Sequence, residues 1–206
     1  MSDLWDLGIA LEEAGAAYET IRVDFANAEQ TKPAYLAINP KGRVPALMTD
    51  RGLLTENVAI LAYIAQSFPE KKLAPSDPFA FAQMQAFNSY LSSTVHVNHA
   101  HKGRGYRWAS EESSFADMKR KVPETMAASF DLIEREMFRG PWVMGDDFTV
   151  ADAYLFTVSN WCAPVVTRVK MCRRRSCASS RPVASRFIPV RTPCCTPRTR
   201  SSCGNG

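Results

Sequence analysis

Apolar residues recur along this chain at two different periods, and the change between them divides it. Ile9-Ala10-Leu11-Glu12-Glu13-Ala14-Gly15 reads as the end of a helix, good helix formers closed by a glycine at the C-terminal position. In Tyr18 to Phe25 the apolar residues Ile21, Val23 and Phe25 alternate at period two among β-branched and aromatic neighbours, which predicts a strand. Val44-Pro45-Ala46-Leu47-Met48 and Leu53-Leu54-Thr55 are two short strand candidates around the turn Asp50-Arg51-Gly52. After Glu56-Asn57, the run Val58 to Ala65 is apolar on most of its circumference and predicts a buried helix.

Beyond Leu73-Ala74-Pro75-Ser76-Asp77-Pro78 the alternating pattern disappears and everything to Trp161 reads as helix. Phe79 to about Asn98 carries Phe81, Met84, Phe87, Tyr90 and Leu91 at helical spacing. Phe115 to Met137 predicts a second helix, interrupted or kinked near Pro123. Thr149-Val150-Ala151-Asp152 opens a third, with Thr149 placed as N-cap and Asp152 positioned to reach back to its N–H. The expected organisation is a mixed α+β domain over 1–72, a linker over 73–78 and an all-α domain over 79–161.

Composition changes the picture only when it is split by position. The 206 residues carry a formal net charge of +4, with 25 basic and 21 acidic side chains. Ten of the basic residues and none of the acids lie in 162–206, so residues 1–161 hold 15 basic against 21 acidic groups, a net of −6. All six cysteines (Cys162, Cys172, Cys177, Cys194, Cys195 and Cys203) and five prolines also fall in that last stretch, which contains no Leu. Such a segment presents no helical apolar stripe and is expected to be largely disordered. It has the character of an out-of-frame translation of a GC-rich gene. Its Arg173-Arg174-Arg175 run would attract polyanions, but Phe187 is its one aromatic residue, and nucleic-acid binding is not expected. Its cysteines form no CxxC pair, so neither a zinc site nor a disulfide framework is expected. No membrane-spanning run or secretory leader is recognisable, which points to a cytoplasmic protein.

Three local motifs carry chemistry. They are Asn39-Pro40-Lys41-Gly42-Arg43-Val44-Pro45-Ala46-Leu47, then Leu54-Thr55-Glu56-Asn57 opening a helix, then Gly145-Asp146-Asp147-Phe148-Thr149-Val150-Ala151-Asp152. Taken in order and at this spacing, from about Ile9 to Trp161, they resemble the glutathione S-transferase family, above all its bacterial, beta-class-like members. The resemblance implies a thioredoxin-like N-terminal domain followed by an all-α helical domain, with glutathione bound in the cleft between them as a substrate and no metal.

It also implies roles for particular residues. The Val44-Pro45 bond would be cis, with Val44 offering its N–H and C=O to glutathione as a strand pairs with its neighbour. Glu56 and Asn57 sit at a helix N-terminus, where free N–H groups and the helix dipole favour an anion. Asn57 would bond the γ-glutamyl carboxylate, Glu56 would pair with the ammonium, and Arg43 is a further candidate for a carboxylate. Read from residue type alone, Val44-Pro45 is an edge or turn feature, Glu56-Asn57 a helix cap, and Arg43 a solvated charge. The segment from Thr94 to Trp108 holds all three histidines, and His96, Tyr106 and Trp108 would line the pocket for a small hydrophobic electrophile. Three histidines within six residues also raise a metal, but a fourth ligand is missing. Family members are usually homodimers, and the first long helix of the second domain, with Phe81 and Met84, would suit that contact.

A thiolate-stabilising hydroxyl or cysteine on a loop after a first strand is not recognisable. Eleven residues precede Glu12, and Ser2 is the one hydroxyl or thiol before Tyr18, so the catalytic residue is unknown. The expected activity is conjugation of the glutathione thiol to small electrophiles. The alternatives are a non-catalytic glutathione-binding or dimerising module, or an inactive truncated gene product.

Overall fold

The computed structural model describes residues 5–161, and the basic stretch 162–206 with its expected disorder lies outside them. Helix α1 (Trp5–Ala14) buries Asp6, Leu7, Ala10, Leu11 and Ala14, the spacing of one helical face. Gly15 ends it at φ 66°, a conformation that favours glycine. The N–H of Ala16 donates to the Leu11 carbonyl at 3.0 Å and that of Gly15 to Glu12 at 2.9 Å, which closes the helix in a Schellman turn.

The strand expected over Tyr18 to Phe25 does not form. Strands require a partner, and among the described residues the sheet consists of one hairpin. Of the three alternating positions Val23 is buried, while Ile21 and Phe25 are 51% and 39% exposed, so the predicted common face is not covered. A polar turn takes over instead, with the Asp24 carboxylate accepting from the N–H of Ala26 and the amide of Asn27. A single helical turn, α2 (Pro33–Leu36), follows with proline at its first position.

The hairpin joins β1 (Ala46–Thr49) to β2 (Gly52–Thr55) antiparallel, Leu47 opposite Leu54, across the two-residue turn Asp50-Arg51. Helix α3 (Asn57–Ser67) buries Ile60, Leu61, Ile64 and Ala65. Then α4 (Pro78–Tyr90) begins on an Asp77 cap, whose carboxylate accepts from the Ala80 N–H at 2.8 Å. It continues without a break through a wider turn, Leu91–Val95, into α5 (His96–Ala100). The second long helix, α6 (Glu112–Leu132), contains Pro123 internally and ends in another wide turn, Ile133–Met137. Met84, which was expected to suit a partner surface, is fully buried in this chain's own core, because its helix face packs against α3 and α7.

Helix α7 (Val150–Asn160) is the centre of the packing, buried at eight of its positions. The capping box forms at its start, where Asp152 Oδ2 accepts from the Thr149 N–H at 2.8 Å and from the Thr149 hydroxyl at 3.0 Å. Oδ1 of the same carboxylate accepts from the Val143 N–H at 2.7 Å, tying the preceding loop to the helix. The Val150 N–H donates to the Leu73 carbonyl at 2.9 Å, which anchors the segment joining the two halves. Leu7, Leu11, Ile60, Leu61, Met84, Leu91, Tyr154 and Val158 belong to one apolar cluster, with α1 and α3 packed on α4 and α7. Each such aliphatic side chain contributes about 1.5 to 3 kcal/mol when fully buried, so the core itself fixes how the two halves face each other.

Candidate functional site

The loop before β1 is shaped by its own polar atoms. The Asn39 side chain, almost wholly buried, donates to the Arg43 carbonyl at 2.7 Å, and the Tyr35 hydroxyl donates to the same oxygen at 2.7 Å. The Lys41 N–H donates to Asn39 Oδ1 at 3.2 Å, and Gly42 turns the chain at φ 59°. A Cβ at Gly42 would lie 3.2 Å from the Gln30 carbonyl. These bonds deliver Val44 and Pro45 to the strand with a cis peptide between them, as the resemblance implies. Val44 lies just ahead of β1, and no hydrogen bond among the described residues uses its N–H or C=O.

Glu56 sits at the other end of the hairpin, immediately before α3. Its backbone is at φ 72° and ψ 120°, which for a residue with a Cβ costs on the order of 1 to 3 kcal/mol. Lys41 Nζ reaches its carboxylate at 2.6 Å and the Thr55 hydroxyl at 3.0 Å. Both ends of that ion pair are at least half exposed, so the pair contributes too little to account for the strain. The first backbone N–H groups of α3, next to Glu56, are free by helix geometry. A carboxylate with its own lysine, beside open N–H groups at the positive end of a helix, is a place for a ligand that carries an ammonium and a carboxylate on one carbon.

Asn57 faces the opposite way. Its side-chain amide donates to Asp6 Oδ2, linking α3 to α1 inside the core and near Tyr154 of α7. Asp6 is fully buried, and burial raises its pKa to about 6 against the opposing pull of the Asn57 hydrogen bond. Burial, then the nearby Asp6 carboxyl, pushes the Tyr154 phenol upward too. Asp6 Oδ1, Asn57 Oδ1 and the Tyr154 hydroxyl have no hydrogen-bond partner among the described residues. The expected contact of the Asn57 side chain with a ligand carboxylate is therefore replaced by a structural one. No local pattern signals this pairing, because the two residues lie 51 positions apart.

On the helical side, α5 places His96 and His99 on the same indole. Trp161 meets His96 edge to face at 4.7 Å between ring centroids and His99 in a stack at 4.8 Å. Both imidazoles are held at a pKa of about 4. For His96 the causes are burial, then the charges of Arg104, His99, Arg107 and Arg43; for His99 they are burial, then Lys102 and Arg104. Both rings are consequently neutral at physiological pH. The charge of Arg43, on the loop before β1, thus acts on His96 at the start of α5.

Of the other two expected pocket residues, Trp108 packs against His101 at 4.4 Å and Tyr106 is 65% exposed. Trp161 is the aromatic wall that the pattern of residues missed. As an aromatic residue at the end of an apolar helix it carries no signal separating it from core. Among the described residues, no three His, Cys, Asp or Glu side chains are grouped to hold a metal ion, and no helix is long and apolar enough to cross a membrane.

Residues 2–66 match the family model described as glutathione S-transferase, N-terminal domain. Over 156 residues the chain is 32% identical to the glutathione S-transferase GstA of Escherichia coli O157:H7, covering 74% of each protein. It is 30% identical to the maleylacetoacetate isomerase of Pseudomonas aeruginosa, covering 71% of this chain and 70% of that one. Among solved structures, a glutathione transferase homologue from Sulfitobacter with bound glutathione is 55% identical. It aligns at a TM-score of 0.76 over 80% of this chain and 79% of its own. The bacterial beta-class glutathione S-transferase of Sphingomonas chungbukensis aligns at 0.66 with 32% identity, over 80% and 82% of the two chains. With its hairpin-bearing thioredoxin-like half and its helical half in the same order, this chain belongs to the glutathione S-transferase family.

Proposed function

We propose that this protein binds glutathione in the space between its two halves and conjugates the thiol to small hydrophobic electrophiles. The observation that carries the reading is Glu56, held in a strained backbone at the open N-terminus of α3 and paired with Lys41. The γ-glutamyl end of glutathione has the matching pair of charges, an ammonium for Glu56 and a carboxylate for the free N–H groups of Asn57 and Val58. Val44 pairs its N–H and C=O with the cysteinyl part, the cis Pro45 orients that turn, and Arg43 meets a carboxylate. Bound glutathione in the Sulfitobacter homologue supports this reading.

His96 and Trp161 then flank the thiol end, and Tyr106 and Trp108 lie toward the pocket's outer rim. Neutral His96 leaves the thiolate without a competing proton donor at physiological pH. We assign no side chain to thiol activation. In this reading residues 1–72 and 79–161 are the two domains, joined by 73–78, in a cytoplasmic homodimer. With Met84 internal, Phe79 at 72% exposed and the partly buried Phe81 are the aromatic residues of α4 left for a partner.

The test is turnover. Full-length protein with glutathione and 1-chloro-2,4-dinitrobenzene is expected to release chloride and form the aryl thioether at a rate that saturates in both substrates. Glutathione binding without enzyme-dependent thioether would contradict the enzymatic reading and leave a binding module.

A further inference from the structure

After α5 the chain folds back in a short, tightly held turn. The Arg104 N–H donates to the Ala100 carbonyl at 2.9 Å and the Arg107 N–H to the Arg104 carbonyl at 3.0 Å. Gly105 is buried between them, and a Cβ there would stand 3.0 Å from the Phe115 ring. The turn is thus fixed from below by packing, and it follows directly on α5, whose His96 and His99 meet Trp161; the charges of both its arginines act on His96.

Among the described residues these arginines have no counter-charge in contact with them. Among the described residues neither Arg104 nor Arg107 makes a side-chain hydrogen bond or an ion pair, although Arg104 is half-buried and burial disfavours its charge. Outside the described residues the sequence offers one acidic side chain, Asp3. A partly desolvated guanidinium without a counter-charge is costly, and a carboxylate is the ligand that matches its fork of donors. Next to it, two neutral imidazoles and an indole provide flat surface.

We propose that the pocket takes a second substrate bearing a carboxylate on a flat, unsaturated body, the carboxylate on Arg104 and Arg107 and the body against Trp161 and His96. This rests on the reading of the opposite wall as the glutathione site. A carboxylate of glutathione itself has the same chemistry. The position favours the second substrate, because both arginines follow α5 on the helical side, whereas Lys41 and Arg43 lie on the loop before β1 and Glu56 follows β2.

Titration calorimetry with unreactive probes separates the two sources. Full-length protein saturated with glutathione is titrated with 3-nitrobenzoate and, separately, with its uncharged counterpart 3-nitrobenzamide. The carboxylate is expected to bind at least ~10-fold more tightly, the worth of a charge-assisted hydrogen bond. In Arg104→Gln and in Arg107→Gln that preference should fall to within about threefold, with glutathione affinity unchanged within about twofold. Arg107 is exposed, so its variant tests the site even if the Arg104 variant does not fold. Equal binding of the two probes by the wild type would overturn the proposal. So would nitrobenzoate binding that glutathione abolishes, together with weakened glutathione binding in Arg107→Gln, which would assign the arginines to glutathione. Glutathione titrated alone into the wild type reports separately on the opposite wall.

Discussion

Asp152→Ala should destabilise the protein by about 3 kcal/mol. The carboxylate accepts from the N–H groups of Val143 and Thr149 and from the Thr149 hydroxyl, all in the buried start of α7. Its removal leaves two buried backbone donors without partners, each costing about 1 to 3 kcal/mol, besides the lost cap. Because α7 packs on α1, α3 and α4, the whole fold should melt earlier rather than one helix fraying. For a protein of this size the fall in Tm is about 6 to 12 °C. Asp146→Ala on the same loop, at an exposed position, should stay within about 0.5 kcal/mol of wild type. Urea denaturation of both variants checks the pair, and a loss below about 1 kcal/mol for Asp152→Ala would show that Asp152 does not organise the helix.

The second large effect lies at Asp6 and depends on pH. Its folded pKa of about 6 stands above the ordinary 3.8, so the native state holds a proton that the unfolded chain has released. Stability is therefore full below pH ~4, declines as pH rises toward ~6 and stays low above it. The difference in pKa corresponds to about 3 kcal/mol lost by neutral pH. Asp6→Asn keeps an acceptor for the Asn57 amide and adds donors for the unpartnered Asn57 Oδ1 and Tyr154 hydroxyl. The stability of the variant relative to wild type should rise by about 1.4 kcal/mol between pH 5 and pH 7.5. Parallel wild-type and variant profiles in urea unfolding over that interval would contradict the burial of a titrating carboxyl there.

What could be read in advance follows how far each interaction reaches along the chain. The hairpin of β1 and β2, the Gly15 stop and the Thr149-Asp152 box are set by residues within a few positions of each other, and their patterns were visible. The strand expected over Tyr18 to Phe25 has the right alternation, yet pairing is a property of two segments and no second segment lies beside it among the described residues. Motif spacing singled out Glu56, Val44 and Arg43 as the candidates for the proposed site. It could not show that Lys41, 15 residues away, would take Glu56 as its partner. Nor could it show that Asn57 would turn inward to a carboxylate on α1. Trp161 is 65 residues from His96, and only the fold, which packs α7 on α4 and on the wide turn Leu91–Val95 leading into α5, brings the rings together.

Glutathione titrated by calorimetry into the wild-type protein and into Glu56→Ala tests the central claim most directly. In the proposed site the Glu56 carboxylate receives the γ-glutamyl ammonium, a charge-assisted bond whose loss costs about 1.5 to 3 kcal/mol. The predicted result is saturable one-to-one binding by the wild type, weakened at least ~10-fold in a variant whose unfolding curve shows it to be folded. Absence of binding by the wild type, or equal affinity in Glu56→Ala, would contradict the placement of glutathione at the N-terminus of α3.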